Sequence, residues 1–126
     1  MVTVWIGERK QINYCITHLR AFSFQGKLVP VSTYKEMLVN LCSIRYKNHP
    51  DDFDHVIELI GGLRRSVARE RLYFSTSKDL PDKPIRISDS KYFVETLFNA
   101  NNAVKLCKKL LRQFGYEEKE LGIFIS

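Results

Sequence analysis

Residues 99–115, NANNAVKLCKKLLRQFG, decide how the rest of the chain is read. At about 100° per residue, Ala103, Leu106, Cys107, Leu110, Leu111 and Phe114 fall on one side, with Val104 at its edge. Lys105, Lys108, Lys109 and Arg112 fall on the other. One face is therefore core, and the opposite face is a cationic stripe containing no acid. Asn99 suits an N-cap, and Gly115 suits a left-handed C-cap that turns Tyr116 back towards Leu111. The spacing predicts an amphipathic helix from about Asn99 to Phe114.

Around that helix the signals are those of short strands and two further helices. Leu121 to Ile125 reads as a last strand that pairs inside a sheet, and Ile85–Ile87 and Tyr92–Leu97 read as short strands before the helix. Further back, Phe22 and Phe24 alternate with polar residues. Gly26 supplies a turn, and Leu28 to Val31 returns as the second arm of a hairpin whose Pro30 marks an exposed edge. Thr33-x-x-Glu36 matches a capping box and opens a helix to about Lys47, with Met37, Leu38, Leu41, Cys42 and Ile44 as its buried stripe. The residue before Pro50 is pushed out of helical geometry, which ends it.

Asp51, Asp52 and Asp54 then crowd the start of a helix of roughly ten residues, closed by Gly61-Gly62, where acids complement the helix dipole. The segment 64–71 carries Arg64, Arg65, Arg69 and Arg71 against one acid, Glu70, and leads into Leu72-Tyr73-Phe74. It reads as a loop entering a strand. Residues 1–20 are ambiguous: Val2, Val4 and Ile6 alternate as a strand would, and Ile12 to Leu19 suits a short helix or another strand. This stretch is an N-terminal strand or a lead-in segment, ahead of a single domain over 21–126.

A chain of 126 residues with 44% hydrophobic and 27% charged residues has ordinary globular composition. Its net charge of +6 points to an acidic partner, with plain solubility as the alternative. No apolar run is long enough for a membrane span, and the start lacks the order of a signal peptide. The three cysteines, Cys15, Cys42 and Cys107, are widely spaced, and two lie on predicted apolar helix faces, so reduced structural thiols and a cytoplasmic location are expected.

Catalytic and metal-binding motifs are weak. Pro50-Asp51 with Glu70-Arg71-Leu72, and Pro81-Asp82 with Glu95-Thr96-Leu97, each lack the lysine of a PD…(D/E)xK nuclease site. No Cys or His pair has zinc spacing, and there is no phosphate-binding glycine loop or GxSxG elbow. No cofactor and no metal are expected. The functional signal is distributed cationic charge: Lys105, Lys108, Lys109 and Arg112 on consecutive helical turns, and Arg64, Arg65, Arg69 and Arg71 on a separate segment with Tyr73 near it for stacking. Arginine is the side chain suited to bidentate phosphate contact. Asn101, with Asn99 and Asn102, stands at a helix N-terminus, where Asn reads an adenine edge or serves as a cap. A solvated helix face is the plain alternative for the lysines.

The order of short motifs also resembles a known module. Phe22-Ser-Phe-Gln-Gly-Lys27, Tyr34 to Cys42, Tyr73-Phe-Ser75, Leu80, Pro84-Ile-Arg-Ile87, Tyr92-Phe-Val-Glu-Thr96, Asn101-Asn-Ala-Val-Lys-Leu-Cys107 and Phe114-Gly-Tyr116 are similar to a small bacterial module at the C-terminal ends of restriction and mobile-element proteins. The likeness covers about residues 21–125. It implies DNA-related work and carries over no catalytic residue. The chain departs from the pattern at Leu97-Phe98-Asn99, which keeps a cap and loses one polar group.

The expected fold is α+β: a small, mainly antiparallel sheet with three helices, the long C-terminal amphipathic helix packed on the sheet. The expected function is a non-enzymatic nucleic-acid-binding accessory domain of a defence or mobile-element system, with DNA as the partner. The alternative is a protein-interaction module, such as a phage-borne inhibitor docking on a nuclease or other defence protein. A metal-dependent nuclease comes third.

Overall fold

A computed structural model describes residues 2–8, 11–53, 74–75, 85–88, 90, 92–94 and 99–126, with the backbone alone at 74–75. It is α+β and its strand pairing is antiparallel. Its contacts divide it into two compact units, Met1–Leu38 with Asn99–Ser126, and Val39–Phe98.

The first unit holds a four-stranded sheet. Its strands are β1 (Val2–Trp5), β2 (Leu19–Phe24), β3 (Lys27–Pro30) and the last strand of the chain, Leu121–Ile125, in the order β1, last strand, β2, β3. The last strand is thus central, as its apolar run anticipates: Leu121, Ile123 and Ile125 are all buried. The register places Val2 opposite Ile125 and Trp5 opposite Gly122 on one side, and Phe22 opposite Ile123 on the other. Alternation sets the faces of β1, where Val4 is buried and its neighbour Trp5, on the opposite face, is exposed; Val2, on the face of Val4, is exposed at the start of the strand.

The hairpin β2–β3 turns through Gln25 and Gly26, both at positive φ (50° and 80°), the two-residue type I′ geometry that matches strand twist. Pro30 lies on the edge strand, where its missing N–H costs no ladder bond. Residues 12–19 form neither a regular helix nor an extended strand over their length. They contain a single 3-10 turn at Tyr14–Ile16 and then enter β2 at Leu19.

Helix α1 runs Tyr34–Asn48 and buries Tyr34, Met37, Leu38, Leu41, Cys42 and Arg45. Thr33 Oγ1 accepts the Glu36 N–H at 3.2 Å, one arm of the expected capping box, and the Glu36 carboxylate accepts from the hydroxyls of Ser32 and Thr33. Helix α2 runs Ala100–Gln113. Asn99 Oδ1 caps it by accepting the Asn102 N–H at 2.9 Å.

At the other end of α2, Gly115 has φ of +83°. The Gly115 N–H donates to the Arg112 carbonyl and the Tyr116 N–H to the Leu111 carbonyl, the paired closure of a Schellman cap. The helix buries Ala103, Val104, Leu106, Cys107, Leu110 and Leu111, the face its periodicity specifies. Beyond the cap, Tyr116 stands edge-on to Phe24 of β2, with ring centroids 4.9 Å apart.

The second unit contains a small sheet in which Phe93–Val94 pairs with both Phe74–Ser75 and Ile85–Arg86. These strands are β4 (Phe74–Ser75), β5 (Ile85–Arg86) and β6 (Phe93–Val94); the last strand of the chain is β7. Tyr46 meets both Phe53 and Tyr92 edge to face, and the rings of Phe53 and Tyr92 are tilted with centroids 5.0 Å apart.

Pro50–Asp52 is a 3-10 turn, and Asp52 Oδ2 accepts from Arg45 at 3.0 Å. That pairing gives a counter-ion to an arginine that is only 5% exposed. The described residues hold two α-helices. The third expected helix, after Phe53, lies outside the described residues, as does the arginine-rich segment. No helix among the described residues is long and apolar enough to cross a membrane.

Candidate functional site

A groove of about 600 Å³ opens along the polar face of α2. Its helical wall is Asn101, Lys105, Lys108 and Arg112, spaced so that they fall in one line along the helix. Its second wall is the stretch Gln11 to Tyr14, and Ile6, Ile12 and Val104 supply apolar lining. Glu118 is also among its lining residues.

The second wall is fixed to the helix by amide chemistry. Asn101 Oδ1 accepts the Tyr14 backbone N–H at 2.7 Å, and Asn101 Nδ2 donates to Asn13 Oδ1 at 3.0 Å. Asn13 Oδ1 also accepts the Cys15 N–H at 3.2 Å, which caps the 3-10 turn. Thr17 donates its hydroxyl proton to the Tyr14 carbonyl at 2.7 Å, so the Tyr34 hydroxyl is the donor in the Thr17–Tyr34 bond. The rings of Tyr14 and Tyr34 meet edge to face at 5.6 Å. Burial pushes both phenols above their ordinary value, and their proximity adds to the shift of Tyr14.

The cations of the stripe are not equivalent. Arg112 is held by Glu118, Nη2 to Oε1 at 2.8 Å with Nε at 2.9 Å, so the acid-free face of the helix receives an acid from the segment beyond its C-cap. Lys105 and Lys108 form no ion pair among the described residues; Lys105 is exposed and Lys108 is half-buried in the groove wall. Lys109 is exposed and lies outside the groove lining.

Of the residues singled out from sequence, the structure brings Asn101, Lys105, Lys108 and Arg112 into one groove. Asn101 is a strut between helix and turn, with its oxygen committed to a backbone amide. Arg64, Arg65, Arg69 and Arg71 lie outside the described residues, as does Tyr73. The groove also contains residues that sequence reasoning passed over: Gln11, Ile12, Asn13, Tyr14 and Glu118. The one local signal was Asn13, two residues before an amide it caps; nothing local pairs it with Asn101.

The remaining ionisable groups have structural settings. Cys107 is fully buried and its thiol is pushed up to about 12 by desolvation, so it stays protonated. Cys42 is buried and Cys15 exposed, all three being free thiols. Comparison with protein-family models, with curated proteins and with solved structures finds no match.

Proposed function

We propose that the chain is a non-enzymatic nucleic-acid-binding accessory domain of a defence or mobile-element system, with DNA as the leading partner. The observation that carries this reading is the pair Lys105 and Lys108. They are ammonium groups one helical turn apart with no carboxylate partner among the described residues, on the wall of a groove that also offers amide donors. Two such groups repel each other and gain from an anion between them, which a phosphate supplies. Lys109 extends the positive face, and Arg112 joins it only at the expense of Glu118. Arg64, Arg65, Arg69 and Arg71 belong to this proposal as a second set of phosphate contacts, with Tyr73 for stacking.

A salt-series titration with duplex DNA, single-stranded DNA and RNA tests it. Log affinity falls linearly with log salt, and Lys105→Ala or Lys108→Ala reduces the slope by about 0.7–0.9. Affinity that ignores salt, or absence of binding to all three, rejects the reading. A protein-interaction module is the second reading, favoured by one observation: Val2 and Trp5, 59% and 40% exposed, stand on the edge strand β1. Tyr92 is buried and adds nothing to such a surface.

A further inference from the structure

The two asparagines and two lysines of the groove offer hydrogen-bond donors. Because Asn101 accepts from a backbone N–H, its other amide atom is nitrogen; because Asn13 accepts from that nitrogen and from the Cys15 N–H, its oxygen has both lone pairs engaged. What the two asparagines still offer is N–H: the Asn13 amide group and the second amide hydrogen of Asn101. Lys105 and Lys108 add ammonium donors, and the carboxylate of Glu118 is held by Arg112. The groove therefore presents these donors and positive charge beside the half-buried side chain of Ile12, with Ile6 and Val104 buried beneath it.

Such a surface complements a ligand rich in acceptors at one end and flat and apolar over another part. Inorganic phosphate uses only the cations. A base stacked in a duplex cannot reach a recessed apolar surface, whereas an unpaired base exposes both its faces and its acceptor edge. A volume of about 600 Å³ is within the range of small-molecule sites. We propose that this groove seats one unpaired nucleotide of a single strand, with its phosphate on Lys105 and Lys108, its base against Ile12, and its acceptor edge towards Asn13 and Asn101. The proposal rests on the nucleic-acid reading above and narrows it.

The test follows the side-chain amide resonances of Asn13 and Asn101 in the full chain by NMR. It is titrated with a nucleoside monophosphate, inorganic phosphate, a single-stranded oligonucleotide and the same sequence as duplex. Expected are shifts of both amides by the monophosphate and affinity at least about tenfold above that for inorganic phosphate. Competition between the monophosphate and the single strand is also expected, and so is loss of these effects in Lys105→Gln/Lys108→Gln, whose exposed or half-exposed side chains leave thermal unfolding unchanged.

Duplex binding equal to or tighter than single-strand binding, with no competition from the monophosphate, overturns this proposal and leaves the broader nucleic-acid reading standing. Binding of the monophosphate without binding of any strand overturns both, the occupant then being a free nucleotide. Equal affinity for monophosphate and inorganic phosphate removes the base from the site and overturns the proposal.

Discussion

Gly122 faces Trp5 across the β1–β7 ladder, and the indole lies where a side chain would stand: a Cβ built there comes within 2.8 Å of the ring. Gly122→Ala therefore displaces the ring or the strand, at about 1–2 kcal/mol. As Trp5 is the only tryptophan, its emission shifts to the red in step with the lowered denaturant midpoint. Gly115 is a different case, since its requirement is its own φ of +83°; Gly115→Ala costs about 1 kcal/mol with Trp5 emission unchanged. The need for Gly115 was legible, because a helix pattern stops just before it. The need for Gly122 was not, because the group that excludes a side chain comes from the far end of the sequence. Cys107 shows the same division. Its place on an apolar helix face was readable, and burial adds a pH effect with a definite sign. The folded state keeps its proton up to about 12 while the unfolded chain releases it near 9.0. Stability from this group is therefore intact below pH 9 and falls as pH rises through that interval. Chemical denaturation between pH 8 and pH 11 shows a steeper loss for the native chain than for Cys107→Ala, which has no proton to lose but is less stable at neutral pH.

Helix α2 begins with two asparagines, Asn99 and Asn101, that composition treats alike and the fold uses differently. Asn99 acts within the helix, and Asn99→Ala lowers stability by about 1 kcal/mol through loss of the cap. Asn101 acts between elements. Asn101→Ala leaves the part-buried Tyr14 N–H without its acceptor, at about 1–3 kcal/mol, and frees the Gln11–Tyr14 wall. Hydrogen exchange separates the two variants: the amides of Tyr14 and Cys15 lose protection in Asn101→Ala and keep it in Asn99→Ala. The helix itself was legible because its apolar spacing, cap and stop agree over one contiguous stretch. The groove beside it was half legible. Lys105, Lys108 and Arg112 announce a face, but what stands opposite that face is set by a turn that precedes the helix by most of the chain. The pairing of Arg112 with Glu118 was hidden for a related reason, the acid lying just past the glycine where the helical pattern ends.

At the scale of the chain, the +6 charge is the property most directly tied to the proposed partner, and it acts through ionic strength. Binding measured across a salt series separates the contributions: Lys105 and Lys108 variants change both affinity and slope, whereas Arg112→Ala changes the slope less, because its guanidinium is already paired with Glu118. The α+β class and antiparallel pairing were legible from alternation and turn residues. The place of Leu121–Ile125 at the centre of its sheet was suggested by an apolar run flanked by polar residues. That placement has a kinetic consequence. Val2 pairs with Ile125 and Phe22 with Ile123, so both ladders of the central strand join segments roughly a hundred residues apart, and each closure sacrifices chain entropy before any packing rewards it. The β2–β3 hairpin and α2 are local and form early, whereas the strand that unites them arrives late. Refolding is accordingly slow for so small a chain, and Ile123→Val acts mainly on the rate of unfolding.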